Sequence, residues 1–200
     1  MSGKRKKDNK IGTFLAVIIF AGAIFWYIRA TPSEYSFTSL FDNHDANSLS
    51  IVVVGDIMLD RNVRNKINQV GFGEFFKGVE PLISEADIAV GNLEGPFTIY
   101  PSITSSLKNK ALQFTFDPTL AIEMSALGFD VLGLANNHTL NFGTEGLKMT
   151  REYIKNAGML YYGEPDNRDE LSTVVEKNGI KVGFVGFHEF SYINYDKVFV

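Results

Sequence analysis

The chain of 200 residues contains no cysteine. Disulfides, thiolate metal sites and cysteine nucleophiles are therefore excluded outright. It also lacks any internal repeat or sustained heptad pattern, which removes solenoids and coiled coils from consideration. The formal net charge is -4, and basic residues crowd the first ten positions, so the remainder is acidic. An acidic domain argues against nucleic acid as a partner. Long uncharged apolar stretches are missing except for one, residues 11–28.

That one stretch reads as a membrane anchor. Lys4, Arg5, Lys6, Lys7 and Lys10 precede it and Arg29 closes it. Eighteen residues at about 1.5 Å each span about 27 Å, close to the hydrocarbon thickness of a bilayer. Trp26 and Tyr27 stand at its far end, where amphipathic rings favour the headgroup layer. A cleaved signal peptide fits less well: the run is long for a signal core, and Ile28-Arg29-Ala30-Thr31-Pro32 lacks a small-x-small cleavage pattern. The expected order is a basic cytoplasmic tail over residues 1–10, one transmembrane helix over 11–28 and a linker over 29–48. The domain beyond would then lie outside a cell membrane crossed once. His44, within the polar linker, reads as an exposed side chain.

From Leu49 onward roughly 150 residues remain, enough for one hydrophobic core. Ser50-Ile51-Val52-Val53-Val54-Gly55-Asp56 is a continuous apolar run ending in a carboxylate. Its pattern predicts a central parallel strand buried on both faces, with Asp56 at its carboxyl end. Asp60 and Arg61 follow, and are expected to form an ion pair with each other. A second apolar run, residues 88–91, delivers Asn92 and Glu94 before Gly95-Pro96 breaks the chain. Residues 97–113 read as a loop, either a plain solvated one or a flap whose Lys108 or Lys110 faces an anionic substrate.

Phe114-Thr115-Phe116 predicts a brief strand. Asp117-Pro118 begins a helix that Gly128 stops, with Leu120, Met124 and Leu127 on its inner face. The third apolar run, residues 131–135, ends in Asn136-Asn137-His138. Asparagine and histidine side by side can offer a carbonyl oxygen and an imidazole nitrogen to one metal or one phosphate; the plain alternative is an Asn turn with a hydrogen-bonded histidine. A helix over 144–156 follows, with Leu147, Tyr153 and Ile154 inward, then a strand over 159–162. Asn178-Gly179 between two short apolar segments signals a hairpin, which predicts an antiparallel edge on an otherwise parallel sheet. His188, after the second of these segments, reads as structural.

These motifs together resemble the CapA family of bacterial capsule and poly-γ-glutamate synthesis proteins. The resemblance rests on Gly55-Asp56-Ile57-Met58-Leu59 with Arg61, Asn92-Leu93-Glu94 with Pro96, and Ala135-Asn136-Asn137-His138 with Gly143. Lys110-x-x-x-Phe114-x-Phe116 and Gly128-Phe129-Asp130-Val131 resemble the family as well. Through similarity to calcineurin-like metallophosphoesterases, the resemblance implies an α/β fold: a four-layered sheet sandwich with a metal site at one edge. It implies that Asp56, Asn92, Glu94 and Asn137 are metal ligands. His138 would be the catalytic residue, donating a proton or holding a phosphate oxygen. The implied cofactor is a divalent metal, with manganese, zinc, iron and magnesium all compatible. Two features depart from the family's pattern: Asn141 stands where an acidic residue is usual, and no His-x-His pair occurs.

Two functions are consistent with this reading. One is a membrane-anchored protein of capsule or poly-γ-glutamate synthesis or export with a metal-dependent, phosphoesterase-like hydrolase site. The other is a non-catalytic, polymer-binding component of a membrane assembly. The expected partners are an anionic polymer or phosphoester substrate, the membrane itself and capsule-synthesis membrane subunits. The end of the chain, Asp196-Lys197-Val198-Phe199-Val200, is apolar and has no cap or polar tail. It predicts that the domain over residues 49–200 is truncated, holds only the first half of the sandwich, and leaves an apolar face open near residues 182–187.

Overall fold

The computed structural model describes residues 48–104, 111–163 and 168–188. The expected cytoplasmic tail, the anchor, all of the linker but residue 48, Lys108, Lys110 and the last twelve residues lie outside these. No helix among the described residues is long and apolar enough to cross a membrane.

Four strands form one wholly parallel sheet in the order of the chain: β1 (Ile51–Ile57), β2 (Ile88–Leu93), β3 (Val131–Gly133) and β4 (Leu160–Tyr162). Between them run helices α1 (Arg61–Val70), α2 (Phe72–Phe76), α3 (Glu80–Ser84), α4 (Thr119–Leu127) and α5 (Gly143–Asn156). A parallel pair requires a crossover, and helices supply it here, so apolar runs alternate with amphipathic segments along the chain. The helices bury Ile67, Ile83, Met124, Leu147 and Ile154 against one face of the sheet, with Leu93, Leu132 and Leu134. In α5 the buried positions Gly143, Gly146, Leu147, Thr150 and Ile154 follow helical spacing.

The start and stop of α4 follow sequence-level rules. Asp117 Oδ1 accepts from the Thr119 backbone N–H at 3.0 Å, and Gly128 ends the helix at φ 114°. A side chain at Gly128 would meet the Ser84 backbone at 2.9 Å, so glycine is required there by space as well as by conformation.

Three expectations are corrected. First, among the described residues β1 stands at the edge of the sheet and not at its centre. Val53 is 72% exposed, whereas residues 88–91 of β2 are buried throughout. Successive apolar residues thus identify a strand but do not say which neighbour covers it. Second, the hairpin of β5 (Ser172–Lys177) and β6 (Ile180–Val185) is a separate antiparallel sheet. It lays Val175, Val182 and Phe184 over Ile88, Val90 and Val131, on the sheet face opposite the helices. The outward residues Val174, Val185 and Phe187 remain exposed. Asn178 (φ 54°) and Gly179 (φ 75°) make the expected tight turn. Third, Phe114-Thr115-Phe116 forms no strand; Phe116 makes an isolated parallel bridge with Phe97.

Candidate functional site

The site grows from the carboxyl ends of β1, β2 and β3. The register of β1 on β2 advances three residues from Val53 to Asp56 while β2 advances two, from Val90 to Asn92. One extra residue is therefore bulged out of β1 at Val54 and Gly55. A bulge turns the following side chain, and this one sets Asp56 opposite Asn92. Gly91 makes room for it, since a Cβ there would lie 2.7 Å from Val54 Cγ2 and 2.5 Å from Ile57 Cδ1.

Asn92 is the pivot. Its Nδ2 donates to Asp56 Oδ1 at 2.8 Å and to Glu94 Oε2 at 2.6 Å. Its Oδ1 accepts from Asn136 Nδ2 at 2.9 Å. Asn136 is held in turn by backbone groups: its Nδ2 donates to the Leu93 carbonyl at 2.8 Å, and its Oδ1 accepts from the His138 N–H at 3.0 Å. Carbonyls only accept and backbone N–H groups only donate, so both amides are oriented without ambiguity. Asn92 therefore presents its nitrogen, and not its oxygen, to the two carboxylates.

His138 is buried and lies across Glu94, with Nε2 3.8 Å from Oε1. Phe114 packs against the ring at 4.4 Å between centroids. Thr139, next along, donates its hydroxyl to the Leu134 carbonyl and tightens the turn. Asn137 is half-buried, and no hydrogen bond to its side chain is found among the described residues. The structure thus links Asp56, Asn92, Glu94 and His138 in one chain of contacts; it does not tie Asn137 into that chain. His188 lies half-buried just past β6. Gly186, two residues before it, approaches Ala135, where a Cβ would come within 3.0 Å.

Asn136 was visible in the sequence only as the first member of Asn-Asn-His. Its role as a cross-link between β2 and β3 needs both strand ends in space. The Asp60–Arg61 ion pair is also corrected. Asp60 caps α1 and pairs with Arg64 at 3.0 Å, one helical turn on, while Arg61 contributes its backbone N–H and keeps its side chain exposed.

An otherwise apolar cavity of about 350 Å³ opens beside Asp56, lined by residues including Val54, Met58, Phe76 and Phe129. Polar chemistry therefore belongs to the amide and carboxylate cluster and not to the cavity. Among the described residues no three His, Asp or Glu side chains converge as a ready-made cation site. The arrangement is two carboxylates flanking one amide nitrogen, with an imidazole at the side. The Asn92 amide hydrogens supply the positive partner between the carboxylates, at the distances above.

The fold and cluster define a class: an α/β domain whose parallel strand ends gather acidic, amide and imidazole side chains at one edge. Comparison with known proteins places it further. The chain belongs to the bacterial capsule synthesis protein family PGA_cap, whose model matches residues 50–199. It is similar to the PGA biosynthesis protein CapA of Bacillus subtilis (strain 168), 30% identical over 195 residues, covering 94% of this chain and 49% of that protein. It is also similar to the capsule biosynthesis protein CapA of Bacillus anthracis, 26% identical over 186 residues, 92% of this chain and 45% of the relative. An uncharacterized protein, y4sH, of Sinorhizobium fredii (strain NBRC 101917 / NGR234) is 26% identical over 141 residues, 70% of this chain and 30% of its own length. The chain spans about half the length of the two CapA relatives.

Proposed function

We propose that this chain acts in capsule or poly-γ-glutamate synthesis or export as a CapA-like protein with a metal-dependent, hydrolase-like site. The observation that carries the proposal is the Asp56–Asn92–Glu94 group, in which two carboxylates from adjacent parallel strands are held on either side of one amide nitrogen. Asp56 and Glu94 would hold the cation, with Asn137 and, after rotation, the Asn92 oxygen as neutral donors. Held by these residues, a divalent cation would supply Lewis-acid polarisation of a phosphoryl oxygen and a lowered pKa for bound water. Asn136 keeps the two strand ends in register, and His138 faces the carboxylate edge. The substrate class is a phosphoester or an anionic polymer. In this reading the β5–β6 hairpin begins the second sheet of a four-layered, metallophosphoesterase-like sandwich.

A second reading, a non-catalytic polymer-binding component, is supported by the Asn92 amide, which turns its nitrogen to both carboxylates and already satisfies them. One experiment separates the two. The full chain is titrated with Mn²⁺, Zn²⁺ and Mg²⁺ by calorimetry, then assayed on a generic phosphodiester. Binding with turnover supports the hydrolase; binding without turnover supports the polymer-binding component; no binding removes the metal site.

The proposal includes a bilayer anchor at residues 11–28, supported by its length, its lack of charge and the preceding lysines. A cysteine introduced as Ser33→Cys is expected to react with an impermeant thiol reagent in intact cells, and the cysteine-free background makes the readout clean. Labelling only after lysis would reverse the orientation.

A further inference from the structure

Asn141 is wholly buried beside the site. Its Oδ1 accepts from the Phe114 backbone N–H at 2.7 Å and lies 3.1 Å from His138 Nδ1. A backbone N–H can only donate, so the atom facing Phe114 has to be the asparagine oxygen. That oxygen has no hydrogen to give. The proton in its contact with His138 therefore sits on Nδ1, and a neutral imidazole with Nδ1–H carries its lone pair on Nε2. We infer that Asn141 is a positioning residue: it holds His138 as the Nδ1–H tautomer and turns Nε2 toward Glu94 as an electron-pair donor.

Neighbouring contacts lock the same arrangement. Gln113 Nε2 donates to the Asn141 carbonyl at 2.8 Å, and the Phe114 ring covers the imidazole. Asn141 Nδ2 is buried and has no hydrogen-bond partner. This position therefore uses only an acceptor; the amide's donor half makes no bond and costs stability. A carboxylate would make both of the oxygen's contacts without that orphan.

One consequence rests on the metal-site reading. A lone pair on Nε2 and a carboxylate oxygen 3.8 Å away can share one cation, because donors each about 2.1 Å from a metal stand roughly 3–4 Å apart. His138 then serves as a donor atom and not as the proton source that the family resemblance implies.

The test is a long-range ¹H–¹⁵N correlation spectrum of the metal-free full chain at a pH where imidazoles are neutral. The His138 signals are identified by their loss in His138→Gln. The expected result is a protonated Nδ1 and a bare Nε2. Asn141→Leu, which removes the acceptor, is expected to shift His138 toward the Nε2–H tautomer, and Asn141→Asp to restore Nδ1–H. A wild-type Nε2–H tautomer, or an unchanged tautomer in a folded Asn141→Leu protein, overturns the inference. The wild-type measurement needs no variant, so misfolding of Asn141→Leu cannot hide the answer. Added Mn²⁺ gives a separate readout. Selective broadening of the His138 ring signals supports the shared cation; no broadening overturns that consequence and leaves the tautomer assignment to stand or fall on its own spectrum.

Discussion

Replacing Asp60 by asparagine is expected to lower the stability of the domain by roughly 3–5 kcal/mol, the scale for breaking a buried, hydrogen-bonded charge pair. Asp60 is fully buried. Its Oδ1 accepts from the Arg61 N–H at 2.8 Å, Arg64 Nε at 3.0 Å and the Ser102 hydroxyl at 2.6 Å. Its Oδ2 accepts from the Thr104 hydroxyl at 2.7 Å and the Thr115 N–H at 3.1 Å. An asparagine keeps the shape but replaces one oxygen by a donor that would face other donors. The consequence reaches the site, because Thr115 adjoins Phe114, which covers His138 and donates to Asn141. Urea denaturation of the two proteins measures the loss. A cost below about 1 kcal/mol, the level of an exposed pair, would show that the network is incidental.

The same residue makes stability depend on pH in a definite direction. Burial alone would raise the Asp60 carboxyl above its ordinary 3.8, but the bonds from Ser102, Thr104, Thr115 and Arg61 outweigh it and hold the carboxyl below that value. A depressed carboxyl contributes its full stabilisation above the unfolded value and loses it as pH falls toward the folded one. Wild type is therefore expected to lose stability progressively below about pH 4, and Asp60→Asn to lose less over the same interval. Parallel curves for the two proteins would remove Asp60 as a cause.

Asp56→Ala is expected to weaken Mn²⁺ binding by about 100-fold or more, since even partners behind the ligands cost 10–100-fold when removed. Asp56 is exposed and its one described hydrogen bond is to Asn92, so the metal-free protein should melt nearly unchanged. That contrast is informative: Asp60→Asn should act on stability, and Asp56→Ala on affinity. Calorimetric titration of wild type, Asp56→Ala and Asp60→Asn under folded conditions checks it. Equal affinity in wild type and Asp56→Ala would mean that any bound metal sits elsewhere.

Much of the α/β alternation was legible because strands leave a local trace of apolar, largely β-branched residues, whether the strand ends up buried or at an edge. Apolar runs at residues 51–54, 88–90 and 131–135 each gave a strand, and each ended in the polar residues that line the strand ends. Asp117-Pro118 and Gly128 bounded α4, and Asn178-Gly179 set the hairpin, because these residue types satisfy φ and capping demands within a few positions. Asp56, Asn92, Glu94 and His138 were visible as candidates for a related reason: each follows an apolar run, although the run before Asp56 is partly exposed in the fold.

What the sequence did not carry is the arrangement across strands. The bulge at Val54 and Gly55 depends on the register of β1 against β2, which exists only once they pair. The facing of Asn92 depends on Asn136, forty-four positions away, and the tautomer of His138 depends on the Phe114 N–H bond to Asn141. The edge place of β1 and the packing of the hairpin over β2 and β3 likewise depend on which surfaces meet. Local sequence therefore determined the elements, their caps and the residue types at the strand ends, because backbone geometry and burial act over a few residues. Only the tertiary structure decided which donor meets which acceptor, because a hydrogen bond requires both partners within about 3 Å, and in this site those partners come from three separate strand ends and from the segment at Phe114.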